Sequence, residues 1–442
     1  MKTYKKLKFV ELRELGFWDT KRYLNISDKK FKNNITLSDV LIPYKKKISK
    51  REMIEKKYAI ISKINFGGEL FLRDLNNIEN YKGDIYLVPD NSIIYSKINV
   101  KHGCIFYNDK GNTPFGVSSE YPIFTFDNTI VSGKFLQKLL RTQEFKKLLD
   151  SKATGISKAR VKQADFLATR VPLPPLSEQE TIVKNYYDKI TQATTYEQQA
   201  ETLEKNIENY LFESLGIEEL DKRKKIGLNI IESKRMERWD IPFLMGESSL
   251  KSKYSIHRMG EYIVEIATGT TPPTSRKEYF RGDINFYTPS DINNKILLNA
   301  DRKVSLLAVK DKKVRVFKKN TLLFVGIGST VGKVGIIGNE FATSNQQITG
   351  FNVDENMLLT EYVYYYFTYF KNVTTKEQTK ATLPIVNQEK IMNILIPIPP
   401  KETQQAIINQ IDTYKNEIKI LRERATLLKQ QAEQEFEQTI FS

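Results

Sequence analysis

Near the end of the chain, apolar residues fall at Ile407, Ile411, Tyr414, Ile418, Leu421, Ala425, Leu428 and Ala432. The steps alternate between four and three, which is the narrow seam of a heptad helix. A second seam runs through Val183, Tyr186, Ile190, Ala193, Tyr196, Ala200, Leu203, Ile207 and Tyr210. Neither stretch has an internal Pro or Gly. Ser177 followed by Glu180 is a capping-box pattern and predicts the start of the first helix. Gly216 is a natural stop. About 40 residues at 1.5 Å each make a rod of roughly 60 Å. Two long rods with narrow stripes are predicted to pair with one another. The alternative packs each on its own domain as an ordinary amphipathic helix.

The rest of the chain alternates short apolar runs with polar punctuation. Strands are predicted at Tyr58–Ile64, Ile85–Val88, Ser92–Ser96, Cys104–Tyr107 and Ile123–Phe126, and again at Tyr262–Ile266, Thr321–Val325, Val334–Ile337 and Ile348–Val353. Helical patterns follow at Ser132–Leu149 and Thr360–Phe370. The fold class is therefore α+β.

The same unit occurs twice. VPLPPLSEQETIV begins at Val171 and IPIPPKETQQAII at Ile396, an offset of 225 residues. Pro172, Pro174, Pro175, Gln179 and Ile182 fall on Pro397, Pro399, Pro400, Gln404 and Ile407. The stiff proline lead-in cannot join the helix that follows it. Trp18-Asp19 is echoed by Trp239-Asp240, and NSIIYSKINVKHGCIFY from Asn91 by NTLLFVGIGSTVGKVGII from Asn320. Three echoes in one order point to duplication of a long unit, with a period far beyond that of a solenoid. The predicted domains are residues 1–170, 171–221 (proline box and helix), 222–395, and 396–442 (proline box and helix). The charged stretch at Lys222–Lys225 is the linker between repeats.

Composition narrows the functional classes. The chain has 442 residues, 69 Lys+Arg against 53 Asp+Glu, and a net charge of +16. The two helical segments, 176–215 and 401–442, carry −5 and −1, so the remainder carries +22. That concentration favours a polyanionic partner. One cysteine, Cys104, excludes an internal disulfide framework and a cysteine-clustered metal site. Two distant histidines, His102 and His257, supply poorly any His-based hydrolase or zinc enzyme. Without a secretory core or membrane-length apolar run, the chain is expected to be cytoplasmic, with no membrane contact.

Catalytic motifs fail on inspection. GIGSTVGKV from Gly326 is not a phosphate loop, because Ile327 stands where glycine is needed and Val334 where a hydroxyl is needed. No Asn-Pro-Pro-aromatic stretch is present to hold a target amine. Pro89-Asp90 has no convincing Glu-x-Lys close behind it. The chain reads as a binding protein, not an enzyme.

What remains are polar loops suited to DNA. The stretch from Ala267 supplies Thr270, Thr271, Thr274, Arg276 and Lys277. TPSDI supplies Ser290 and Asp291, and GSTVGK supplies Ser329, Thr330 and Lys333. Asn345, Gln346 and Gln347 carry amides of the type that read adenine. TKATLP supplies Lys380 and Thr382. In the first half KATGISKARVK, with Lys152, Thr154, Ser157, Lys158 and Arg160, holds the equivalent place. Cations would meet phosphates while amides and hydroxyls read base edges.

The duplicated LPPLSEQ and IPIPPKETQQAI boxes with their helices resemble those of the specificity subunit of type I restriction-modification systems. IGSTVGKVGII, SNQQI, EYVYYYF and TKATLP resemble parts of its second target recognition domain. In the first half NVKHGC, with Lys101, stands opposite GSTVGK, as expected if the halves read different DNA.

The resemblance implies two mixed α/β target recognition domains separated by two long helices paired as an antiparallel coiled coil. It implies that each domain reads one part of a split, asymmetric site in double-stranded DNA. It further implies two methyltransferase subunits and a motor-nuclease subunit as partners. Those partners would carry S-adenosylmethionine, ATP and magnesium, with no cofactor in this chain. Three further readings stay open: the DNA-reading subunit of a related methyltransferase-nuclease system, a coiled-coil nucleic-acid-binding adaptor, and a chain that itself cuts or modifies DNA.

Overall fold

The computed structural model describes residues 34–73, 78, 81, 83–152, 160–217, 250–370 and 385–441, with the backbone alone at 150–152. The Trp18 and Trp239 echoes and the Lys222–Lys225 linker lie outside the described residues. The chain divides into two compact units: residues up to Glu197 together with 422 onward, and Gln198–Leu421.

The first unit contains strands β1 (Asn34–Thr36), β2 (Ile42–Tyr44) and β3 (Lys47–Ile48), then helix α1 (Lys50–Glu55). Strands β4 (Ile60–Ile64), β5 (Leu70–Arg73), β6 (Ile85–Val88), β7 (Ser92–Tyr95), β8 (Ile105–Asn108), β9 (Phe115–Val117) and β10 (Ile123–Thr125) follow. Helices α2 (Gly133–Leu139), α3 (Gln143–Lys152) and α4 (Gln163–Leu167) lead to β11 (Arg170–Pro172) and the long helix α5 (Leu176–Leu215). One sheet runs β2-β10-β7-β8 and another β3-β6-β9-β4-β5. Tyr95, Phe124 and Phe166 stack in the core, with the Tyr95 and Phe166 rings 4.3 Å apart.

The second unit contains β12 (Ile256–Arg258), β13 (Ile263–Thr268), β14 (Ile284–Tyr287), β15 (Ile296–Leu297), β16 (Arg302–Val304) and α6 (Leu306–Lys310). Then come β17 (Val316–Lys318), β18 (Leu322–Val325), β19 (Val334–Ile337), β20 (Phe341–Ser344) and β21 (Ile348–Val353). Helices α7 (Thr360–Tyr369) and α8 (Gln388–Met392) precede β22 (Leu395–Pro397) and the long helix α9 (Lys401–Phe441). Its sheets run β13-β21-β18-β19-β15 and β16-β14-β20-β17.

The duplication extends to topology. β2-β10-β7-β8 corresponds to β13-β21-β18-β19, and β6-β9-β4-β5 to β17-β20-β14-β16. The pair β4–β9 is parallel, as is its counterpart β14–β20. In each unit an early strand pairs antiparallel with the strand that opens the proline box: β1 with β11, and β12 with β22. The tyrosine-rich α7 is buried, and two of its phenols reach β22. Tyr362 donates to the Pro397 carbonyl and Tyr366 to the Leu395 carbonyl, both at 2.8 Å.

The box itself is locked by a glutamine. Gln179 is fully buried and donates to the carbonyls of Ile130 (3.1 Å) and Pro174 (2.8 Å) while accepting from the Ser132 amide (2.9 Å). Gln404, equally buried, donates to Met357 and Pro399 and accepts from Leu359, all at 2.9 Å. Ser132 and Leu359 are the N-caps of α2 and α7, so each glutamine joins a proline box to a domain helix.

Every predicted seam position on α5 and α9 is buried or half-buried. Within the first unit Tyr186 donates to Glu433 at 2.8 Å, and farther along α5 Glu197 meets Lys429 at 2.8 Å, so the helices run antiparallel. Within the second, the Tyr210 and Tyr414 rings lie 6.2 Å apart. The expected pairing is thus observed, and Gly216 ends α5 at φ +59. The Ile217 amide reaches Phe212 and the Gly216 amide Glu213, a Schellman closure.

Two expectations need correction. α5 begins at Leu176, before Ser177, because the Pro175 carbonyl already accepts from the Glu178 and Gln179 amides. The predicted helix Ser132–Leu149 is two helices, α2 and α3. Thr142 breaks it, donating its hydroxyl to Leu139 and accepting from the Phe145 amide to cap α3. Among the described residues no helix is long and apolar enough to cross a membrane.

Candidate nucleic-acid interface

In the second unit five polar segments meet at the ends of β13, β14, β18 and β20. The β18–β19 turn, Gly326–Lys333, is the hub. Its Gly326 amide donates to Gln347 and its Gly326 carbonyl accepts from Val386, each at 2.8 Å. A Cβ at Gly326 would lie 2.5 Å from the Val386 carbonyl oxygen, so only glycine allows that approach. Lys333 donates to Asn293 at 3.1 Å, tying in the loop after β14. The Asn345 amide donates to the Tyr287 carbonyl at 3.1 Å. Thr271 donates to the Gln346 side chain at 2.5 Å, tying in the end of β13. The Asn345 and Gln347 amides are hydrogen-bonded to each other at 2.9 Å.

Thr270, Thr271, Ser290, Asp291, Ser329, Thr330, Lys333 and Asn345–Gln347 thereby come together. Ser290, Ser329, Gln346, Thr270 and Thr271 are exposed; Asp291, Thr330, Lys333, Asn345 and Gln347 are half-buried. Asp291 has a bracing position: its carboxylate accepts from Thr288 (2.7 Å from the amide, 2.6 Å from the hydroxyl) and from the Asp301 amide (2.9 Å). Thr270 accepts from the Arg315 amide at 2.8 Å. Thr274, Arg276 and Lys277 are exposed farther along the β13–β14 connection. There Arg276 pairs with Glu278 at 2.8 Å and lies over the Tyr279 ring. Lys380 and Thr382 lie outside the described residues, just before Ile385.

The first unit repeats this arrangement with different side chains. The Lys97 amide donates to the Glu120 carbonyl and the Val161 amide to the Lys97 carbonyl, both at 3.1 Å. These match Gly326 to Gln347 and Val386 to Gly326. The turn Tyr121 to Ser118 (3.1 Å) matches Ile348 to Asn345 (3.2 Å). Glu120 therefore stands at the position of Gln347, and Ser118 at that of Asn345. The β4–β5 turn occupies the place of the Asn293 loop, with exposed Phe66 centred 5.0 Å from the His102 ring. Lys101 sits half-buried in the Val100–His102 turn of the hub. Arg160 lies 3.3 Å from the Glu120 carboxylate. Lys152 ends α3 and its side chain is not described; Thr154, Ser157 and Lys158 lie outside the described residues.

Lys97, Glu120 and Phe66 were not singled out from sequence, and His102 was noted only as one of two distant histidines. The signal existed at Val161 and Val386, which keep the 225-residue offset of the proline box.

The surroundings favour fixed, neutral supports behind these loops. Burial pushes the Tyr287 phenol up to about 12, and the nearby Asp291 adds to the shift, so it stays a neutral donor. Burial likewise pushes the Cys104 thiol up to about 11, which removes it as a nucleophile at neutral pH. Among the described residues no group of three or more His, Cys, Asp or Glu could hold a metal ion.

A sheet-based unit that gathers loops beside a proline box and long helix defines a class, and comparison with known families identifies it. Residues 254–430 match the type I restriction modification DNA specificity domain. The chain is similar to type I specificity subunits, the resemblance that its repeated boxes suggested. It is 33% identical over 153 residues to the type I restriction enzyme MjaIX specificity subunit of Methanocaldococcus jannaschii, covering 33% of this chain and 34% of that protein. It is 22% identical over 269 residues to the putative type I restriction enzyme MjaX specificity subunit of the same organism, covering 61% and 57%. The chain thus spans about a third and somewhat over half of the curated relatives it matches. A chain from a type I R-M system solved to explain complex assembly and conformational transition has the same fold, with TM-score 0.62 over 92% of this chain and 98% of that one, at 16% identity. The HsdS subunit from Thermoanaerobacter tengcongensis gives 0.49 over 92% and 96%, also at 16% identity.

Proposed function

We propose that this chain is the sequence-reading subunit of a type I restriction-modification complex, in which each unit reads one half of a split, asymmetric site in double-stranded DNA. The observation that carries this reading is the duplicated loop cluster. Two units of one topology gather polar and basic loops at equivalent strand ends, with different side chains at equivalent positions. Such an arrangement suits two different half-sites read by one scaffold.

In the second unit Lys333 meets a phosphate and sets register, while Gln346, Gln347 and Asn345 face base edges. Thr270, Thr271, Thr274, Ser290, Ser329, Thr330, Arg276 and Lys277 add backbone and groove contacts, and Asp291 keeps its loop in shape. Lys380 and Thr382 complete that interface. In the first unit Lys101, Lys152, Thr154, Ser157, Lys158 and Arg160 govern the other half-site. The paired helices set the distance between half-sites, much as dimer geometry sets operator spacing. Two methyltransferase subunits dock on this scaffold and a motor-nuclease subunit joins them. Methylation of adenine N6 with S-adenosylmethionine, and ATP- and magnesium-dependent cleavage, belong to those partners; this chain performs no chemistry.

Selection of duplexes from a random pool by the purified full-length chain, at physiological salt, tests the reading. Enrichment of two short blocks separated by a fixed spacer is expected. Salt-sensitive binding with no sequence preference would overturn it and favour a general nucleic-acid adaptor.

A further inference from the structure

The equivalence of the two loop clusters places one acidic side chain where its presence calls for an explanation. In the first unit the three central loops, Ser96–Gly103, Ser118–Pro122 and Arg160–Lys162, contain Lys97, Lys101, His102, Arg160 and Lys162. Against these stands a single carboxylate, Glu120. The equivalent loops of the second unit, Gly326–Lys333, Asn345–Gln347 and Ile385–Asn387, contain no carboxylate. Glu120 occupies the position of Gln347, held there by the same backbone bond to the hub. Its side chain is half-exposed, and so is that of Arg160, whose guanidinium lies 3.3 Å from Oε2, the carboxylate oxygen that is itself buried.

A carboxylate on a phosphate-facing surface costs affinity for any DNA. It is compensated where it accepts a hydrogen bond from a base amino group, and the major-groove edge of cytosine offers one at N4. The neighbouring guanidinium supplies donors, which match N7 and O6 of guanine. A guanidinium and a carboxylate side by side thus present donors and an acceptor in one row. A G·C pair presents two acceptors and a donor in one row. An A·T pair does not match it: thymine O4 would face the carboxylate, acceptor against acceptor. In the second unit Gln347 occupies the place of Glu120 while Ile385 stands at that of Arg160, and an amide there suits adenine N6 and N7.

We infer that Glu120 and Arg160 act together as the reader of one G·C base pair in the first half-site. This rests on the proposed function and adds the identity of a base pair to it.

The test is the same selection from a random duplex pool, with full-length wild type, Glu120→Gln and Arg160→Gln. The exposure of both side chains favours folded variants, and thermal unfolding of each checks this. Wild type is expected to require G·C at one position of one block. Each variant should lose that preference roughly tenfold or more at that position alone, with the spacer and the other block unchanged. If both blocks are read but the variants retain every preference, or lose affinity evenly at all positions, the pair is only a structural ion pair and the inference falls. If wild type selects no split site, the proposed function falls and takes the inference with it.

Discussion

Replacing Gln179 with Ala removes one fully buried side chain that satisfies three partly buried backbone groups. The Ser132 amide loses its acceptor, and the carbonyls of Ile130 and Pro174 each lose a donor. Each stripped group costs about 1–3 kcal/mol. Carbonyls tolerate the loss better than amides, because they keep a second lone pair for weaker partners. A loss of about 3–5 kcal/mol for the first unit follows, large for a single substitution. At about 2–4 °C per kcal/mol for a unit of this size, its melting point should fall by roughly 6–20 °C. The two units need not unfold together, so a single transition is a poor readout. Hydrogen exchange resolves them: the amides of Ser132 and α2 should lose protection, while those of α7 keep it. Gln404→Ala should do the reverse. Exposed Gln405, whose side chain donates to Asn409 at 2.9 Å one turn along the same helix, is the control, and its alanine variant should change stability by no more than about 0.5 kcal/mol. A loss below about 1 kcal/mol for Gln179→Ala, or an equal loss for Gln405→Ala, would refute the lock.

Lys333→Ala should weaken DNA binding several-fold for all sequences alike, and lower the slope of log affinity against log salt by about 0.9, the release of one counterion. A change confined to one base preference would contradict the phosphate role. Deleting one matched heptad from both α5 and α9 preserves the seam and shortens each rod by about 10 Å. At 3.4 Å per base pair, the recognised spacer should shrink by about three base pairs, read from the methylated motif; an unchanged spacer would remove the ruler role. Cys104 should resist thiol reagents at pH 8 in the native chain and react at once in denaturant; rapid native labelling would show that its burial is not maintained. Because its folded pKa is raised, its contribution to stability is complete below the unfolded thiol pKa and is lost as pH rises from there through about 11. Cys104→Ser should remove that part of the alkaline loss, measured as the melting point across the same pH range.

The long helices were legible because an uninterrupted heptad needs no tertiary information to be seen. The strands β19 and β21 were predicted to the residue because glycine and polar clusters bound their apolar runs. The pairs β1–β11 and β12–β22 were not. Each is three residues long and joins segments more than a hundred residues apart, so no local period marks it. Thr142 hid the break between α2 and α3, because the apolar pattern continues through it. The second unit's loops stood out as polar clusters between strands. Their first-unit counterparts did not, since insertions shift the offset from 225 at Val161 and Val386 to 227 at Ser118 and Asn345 and 229 at Lys97 and Gly326. Only the backbone bonds reveal that Glu120 stands for Gln347, because the chemistry of the two side chains differs.

Adenine methylation across a genome, mapped after co-expressing this chain with its methyltransferase partner and again without it, tests the central claim most directly. A split, asymmetric motif present only with the chain, whose first block alone changes when the Ser96–Gly103 and Ser118–Pro122 loops are altered, is the predicted result. A motif that persists without the chain, or one whose two blocks both change together, would contradict the assignment of one half-site to each unit.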